Sequence, residues 1–237
     1  MKNTLTIARK EFQSYLSSPM AYIIVCIFLV LSGVFFSIMT SAFKDATSIS
    51  GFLQWGSLIL ILMAAVITMR LIAEERKLGT LELLLTSPVR DSELVIGKFL
   101  GSLALLAIMV ICTFLYPILL EVYGDPDVGS IISGYLGLFL LGMTCLSIGL
   151  FASTLSANQI VAAVVAGGIL FGLWFISLAA SYLPEGIANI VNYLSLSYYF
   201  TDFLSGIIDT RAIIYYISVT VLFLFLAIRS IENSRWN

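Results

Sequence analysis

The residues that could carry chemistry crowd into one stretch. Glu74, Glu75, Glu82, Asp91 and Glu93 stand among Arg70, Arg76, Lys77, Arg90 and Lys98, on a single connection between two apolar runs. Balanced charge of this kind is not the one-signed block that anionic lipids attract. Acid–base catalysis would need two carboxylates facing each other, or a neutral-pH base. The chain has no histidine, which removes the usual base and the commonest metal ligand. Gly97-Lys98 ends no phosphate-binding loop, because no glycine stands five positions before Gly97. Asp125 and Asp127 sit in a short acidic turn, EVYGDPDVG, far short of the six to eight oxygens calcium takes. Cys26, Cys112 and Cys145 are isolated in apolar runs and read as small hydrophobes. No basic patch stands clear of acids, so nucleic acid is no expected partner. An intramembrane enzyme is thereby disfavoured.

The elements that hold these residues are made for lipid. Of the 237 residues 60% are hydrophobic and only 11% charged, with mean hydropathy +1.05; soluble domains carry about 25% charged residues. Six apolar runs, at 20–43, 55–73, 99–120, 131–155, 159–183 and 212–229, are long enough to cross a bilayer as helices. The first is too long for a signal-peptide core and is expected to be retained. The expected fold is an all-α polytopic membrane protein, one transmembrane domain over 1–237. With the N-terminus inside, ten of the 12 Lys and Arg residues fall on the cytoplasmic side; only Lys44 and Arg211 lie outside. Both termini are then cytoplasmic. Ionisable residues gather at the ends of the runs, which argues against an ion-coupled transporter.

Three smaller features complete the pattern. Residues 1–18 form an amphipathic helix, with Leu5, Ala8, Phe12 and Leu16 on one face and Arg9 and Lys10 elsewhere. In 74–98, Gly79 breaks one segment and Thr80 caps the next. Leu81, Leu84 and Leu85 share a face, Pro88 ends the helix, and Asp91 or Ser92 caps its successor. Spacing alone leaves open whether that short helix meets a soluble partner or only the membrane surface. In 184–211, two short re-entrant helices are expected in the outer leaflet, with Tyr198, Tyr199, Phe200 and Phe203 at headgroup level. Gly134, Gly137, Gly142 and Gly149 in one run, and Gly167, Gly168 and Gly172 in the next, allow close helix contact. That contact could lie within one chain or between two.

The run Glu74-Glu75-Arg76, then Gly79-Thr80-Leu81-Glu82-Leu83-Leu84-Leu85-Thr86-Ser87-Pro88, then Gly97-Lys98, resembles the loop after the second span in type-2 ATP-binding-cassette (ABC) exporter permeases. Ser17-Ser18-Pro19-Met20-Ala21-Tyr22, Gly206 to Arg211, Tyr215-Tyr216 and Arg235-Trp236 resemble the gliding-motility-associated branch. The resemblance implies that residues 74–88 are a cytoplasmic coupling helix docking on an ATPase subunit. It makes 1–18 an elbow helix touching the same partner through Arg9, Lys10 and Phe12, and it puts an outer gate at Tyr198, Tyr199, Phe200 and Phe203. ATP and Mg would be held by the ATPase, with no cofactor in this chain. It further implies a second permease subunit, contact with membrane lipids, a possible periplasmic or accessory membrane partner, and a place in the bacterial inner membrane. The implied work is export or extraction of an amphipathic or lipid-linked substrate, or force passed to a partner. The alternative is an ATP-independent channel or assembly scaffold.

Overall fold

The structure is a computed structural model, and it describes residues 2–42, 49–80, 89–123, 127–180 and 182–234. Among the described residues all regular structure is helical: α1 (Lys2–Ser17), α2 (Pro19–Ala42), α3 (Ser50–Thr68), α4 (Ala73–Lys77), α5 (Asp91–Thr113), α6 (Leu115–Tyr123), α7 (Val128–Thr154), α8 (Gln159–Ala180), α9 (Glu185–Leu194), α10 (Leu196–Leu204) and α11 (Thr210–Ser234). Six stretches are long and apolar enough to cross a membrane. Pro19 opens α2 at the first helical position, where its missing N–H is no loss.

α7 is the hub, packing against α3, α5, α8, α10 and α11. The most apolar stretch of α7 is 78% buried and that of α3 is 72%, against 22% for α2, α8 and α11. Glycine makes the central packing possible. A Cβ on Gly137 would lie 2.7 Å from the Phe203 side chain, and one on Gly142 2.6 Å from Leu106 Cδ1. On Gly149 it would fall within bonding distance of the Thr68 hydroxyl oxygen. Polar threads tie the same helices where no water can serve. The Thr144 and Thr220 hydroxyls pair at 3.1 Å, and Ser133 Oγ donates to the Phe203 carbonyl at 2.7 Å.

Two runs that read as continuous are broken. The second span leaves α-helix at Thr68, turns through Met69–Ile72, and resumes as α4. The break is held from across the bundle: Ser153 Oγ accepts from the amides of Ile72 (3.1 Å) and Ala73 (3.0 Å) and donates to the Met69 carbonyl (3.2 Å). The third span breaks at Phe114. Pro117 cannot return an amide to the Thr113 carbonyl four residues back; Tyr135 OH donates to it instead at 2.7 Å. The third span is therefore two helices, α5 and α6, and it begins at Asp91, eight residues before the start of its apolar run.

Candidate functional site

Charge converges at the end of the bundle where α1, α4 and the base of α5 meet. Gly97 and Gly101 lie one turn apart on α5 and form a bed for α1. A Cβ at Gly97 would come 2.7 Å from Ile7 and 3.0 Å from the Thr4 carbonyl. At Gly101 it would come 2.7 Å from Glu11 Cβ and 3.2 Å from the Ala8 carbonyl. Lys98, between them in sequence, is 3% exposed. A lysine buried this deeply needs anionic partners, because an unpaired ammonium out of water costs several kcal/mol. It has two, from two elements: Glu11 Oε2 of α1 at 3.1 Å and Glu75 Oε1 of α4 at 2.9 Å. Beside it Tyr15, 1% exposed, donates to the Ile67 carbonyl at 3.2 Å, and the Arg70 guanidinium lies 4.6 Å from its ring centre. Burial, reinforced by the negative charge of Glu11, pushes the Tyr15 phenol well above its ordinary value, so it stays a neutral donor. Arg70 Nη1 also donates to Ser18 Oγ at 3.4 Å, tying the end of α3 to the α1–α2 corner. A polar cavity of about 310 Å³ opens among Glu11, Ser14, Arg70, Glu74, Glu75 and Lys98.

The chain leaves this joint as the sequence suggests. Gly79 takes φ +70° after α4, the left-handed conformation glycine adopts without a side-chain clash. The Thr80 hydroxyl donates back to the Glu75 carbonyl at 3.3 Å, and the helix it is expected to cap lies outside the described residues. The next helix is not capped by Asp91 or Ser92, which lie inside its first turn. Arg90 is the N-cap, and the Glu93 carboxylate accepts its amide at 3.2 Å. Leu81, Glu82, Leu83, Leu84, Leu85, Thr86, Ser87 and Pro88 lie outside the described residues. Of the elbow residues, Arg9 and Lys10 are exposed and Phe12 is half-buried. The face of α1 that packs inward is not the one its leucines mark. Ala8 and Tyr15 are buried, whereas Leu5 is 70% exposed. Glu74 is half-buried at the cavity, and Glu75 turns inward to Lys98. Sequence reasoning passed over Glu11 and Tyr15 and named Lys98 without its partners; the available signal was two glycines four apart with a lysine between them.

At the opposite end, α9 and α10 occupy the stretch expected to hold two short helices. The aromatic residues do not form a belt. Tyr198 is half exposed, but Tyr199 stacks on Tyr215 at 4.3 Å between ring centres, and Phe200 and Phe203 are buried in the core. The rings pack against α7, α8 and α11, because each gains more by filling the bundle than by lying at its surface. A cavity of about 430 Å³ opens between α3, α8 and α10. Trp55, Trp174 and Phe200 line it with Gln54, Ser177 and Ser197, and among the described residues no charged side chain joins them. The Ser177, Ser197 and Ser195 hydroxyls are linked at 2.9 and 3.0 Å, and Ser197 donates to the Trp174 carbonyl at 2.8 Å. This wall offers hydroxyl groups among aromatics, suited to an amphipathic molecule. Among the described residues no group of three or more metal-ligating side chains comes together.

Comparison with known proteins decides the class. The profile of the family described as ABC-2 family transporter protein matches residues 5–231. The chain belongs to that family. Two relatives are each described as a probable multidrug ABC transporter permease YbhS, one from Escherichia coli strain K12 and one from Escherichia coli O157:H7. Each is 32% identical over 115 residues, or 46% of this chain. The match spans 29% of the relative's length. The permease is thus a multi-pass membrane protein of the ABC-2 transporter family.

Proposed function

We propose that the permease is the membrane half of an ATP-driven exporter whose hydrolysis takes place in separate ATPase subunits. The observation that carries the reading is the joint of α1, α4 and α5, which in sequence flanks residues 81–88 on both sides. Family membership supports a coupling role for that segment. The motor would bind ATP and Mg and press on 74–88 and on the exposed Arg9 and Lys10 of α1. Leu83, Leu84 and Leu85 would supply apolar anchoring, and Glu74 and Glu82 the charged contacts. Glu75 acts inward through Lys98. A second copy, or a related subunit, completes the pathway, and closure of the ATPases moves the bundle between two packed states. The distribution of Lys and Arg supports cytoplasmic termini in a bacterial inner membrane. The uncharged outer cavity, and the multidrug description of the relatives, support an amphipathic or lipid-linked substrate. Force delivered to an accessory membrane protein is the form this would take in the gliding-motility-associated branch.

Purification in mild detergent from the native host, followed by mass spectrometry, tests the core of the proposal. An ABC ATPase held in stoichiometric amount is expected; a lone oligomer that conducts ions would overturn it. Leu84→Arg tests the docking segment. It should leave the six spans inserted and abolish ATP-driven transport while ATP hydrolysis continues, and normal transport by this variant would refute docking through 81–88.

A further inference from the structure

We propose that Lys98 is a positioning residue that locks α1 and α4 to the base of α5, so that all three move as one body. The geometry is a two-way ion pair at a three-element junction. Lys98 rises from α5 between the glycines that seat α1, and its ammonium reaches one carboxylate from α1 and one from α4. Each ammonium carries three donors, so a single lysine can hold both acids at once. The two carboxylates are unequal. Glu11 is carried by a helix already packed on Gly97 and Gly101. Glu75 sits on a five-residue helix, and its second oxygen, Oε2, is buried with no hydrogen-bond partner among the described residues. Lys98 is the cation that offsets the burial of Glu75. Without it, Glu11 and Glu75 would be two like charges sharing one site. The polar cavity beside them, open past Ser14 and Glu74, gives the freed carboxylate of Glu75 a way to water. α4 would then swing away from α1, although the glycine bed still holds α1 on α5.

The lock stands whether or not the motor reading is right; the transmission it serves rests on that reading. The test uses the full chain in nanodiscs, with Cys26, Cys112 and Cys145 replaced by serine and spin labels at the exposed positions Gln13 and Lys77. Pulsed electron resonance should give one narrow distance in the parent. Lys98→Met should lose that narrow peak and Lys98→Arg should keep it. Glu75→Gln, which leaves Lys98 paired with Glu11, should also lose it and guards against a Lys98→Met protein that fails to fold. A narrow peak retained in Glu75→Gln, or in a folded Lys98→Met, would overturn the lock. A second arm traps co-purified ATPase subunits with nucleotide and vanadate: the Gln13–Lys77 distance should not change, and a shift would refute rigid-body movement. Absence of any ATPase would count against the proposed function alone, because the first arm still decides the role of Lys98.

Discussion

Single residues decide where this bundle bends and how its outer turn holds. At the Phe114 break, Tyr135 OH supplies the hydrogen bond that Pro117 withholds from Thr113. Leaving that carbonyl unpaired costs about 1–3 kcal/mol in a protein interior, and measured side-chain hydrogen bonds in membrane helices average nearer 0.6 kcal/mol. Tyr135→Phe should therefore destabilise the permease by about 1 kcal/mol. The cost should shrink in a Pro117→Ala background, where an amide is restored to the same carbonyl. Thermal unfolding of the four proteins of this cycle in detergent measures it, and equal costs in both backgrounds would mean that the proline does not explain the bond. Asp127, the N-cap of α7, accepts from Ser130 Oγ at 2.7 Å and from the Gly129 amide at 3.0 Å. The hydroxyl bond first, then the amide, hold its carboxyl below the ordinary aspartate value. A carboxyl lowered on folding contributes stability above its unfolded value, and that contribution is lost as pH falls through the folded one. Asp127→Asn should thus flatten the acid limb of stability below about pH 4, lowering the melting point at neutral pH and changing it little in acid. A variant with the parent's acid limb would show that the cap does not titrate in this way.

Glycine lets several helices of this chain meet closely, but the glycines of α5 and those of α8 behave oppositely. On α5, a side chain at Gly101 would press on the backbone carbonyl of Ala8, which cannot swing aside. On α8, nothing lies within 4 Å of a Cβ built at Gly167, Gly168 or Gly172. Gly101→Ala should cost about 1–3 kcal/mol as overpacking and expose α1 to protease. Gly168→Ala should be neutral or stabilising by up to about 1 kcal/mol, from helix propensity alone. Melting curves with limited proteolysis compare the two, and equal effects would contradict the bed for α1. Much of the element pattern was legible in the sequence. Six apolar runs of bilayer length give six helical spans, because lipid leaves a spanning backbone few alternatives. The breaks at Met69–Ile72 and Phe114 were not legible as breaks, since their partners, Ser153 and Tyr135, come from another helix. The buried face of α1 was missed for a related reason. Leu5 and Leu16 give the hydrophobic periodicity, but Thr4, Ile7, Ala8 and Glu11 make the contact with the α5 glycines.

Across the whole molecule, burial is uneven in a way one copy does not explain. α3 and α7 are enclosed, while α2, α8 and α11 carry broad apolar faces outward. Lipid accounts for such faces in general, but the face of α8 is shaped. Ala162, Ala166, Leu170 and Trp174 bury one side, leaving Val164, Gly168, Gly172 and Phe175 as an exposed ridge on the other. Glycines four apart at the foot of that ridge admit a second helix backbone, and close packing rather than hydrophobicity is what joins helices in lipid. The sequence marked the glycines of α7 and α8 alike; only the packed chain separates those consumed inside it, on α7, from those left open, on α8. Should the permease work as a pair, α8 is where its partner is expected to fit. Gly168→Leu with Gly172→Leu should leave the melting point of a single copy nearly unchanged, because both positions are exposed and a Cβ at either has nothing within 4 Å. The same pair of changes should lower the dimer fraction seen by native mass spectrometry from detergent. An undiminished dimer would place the second copy against α2 or α11 instead. A fall in melting point with no change in assembly would mean that the open face of α8 already has a partner within the chain.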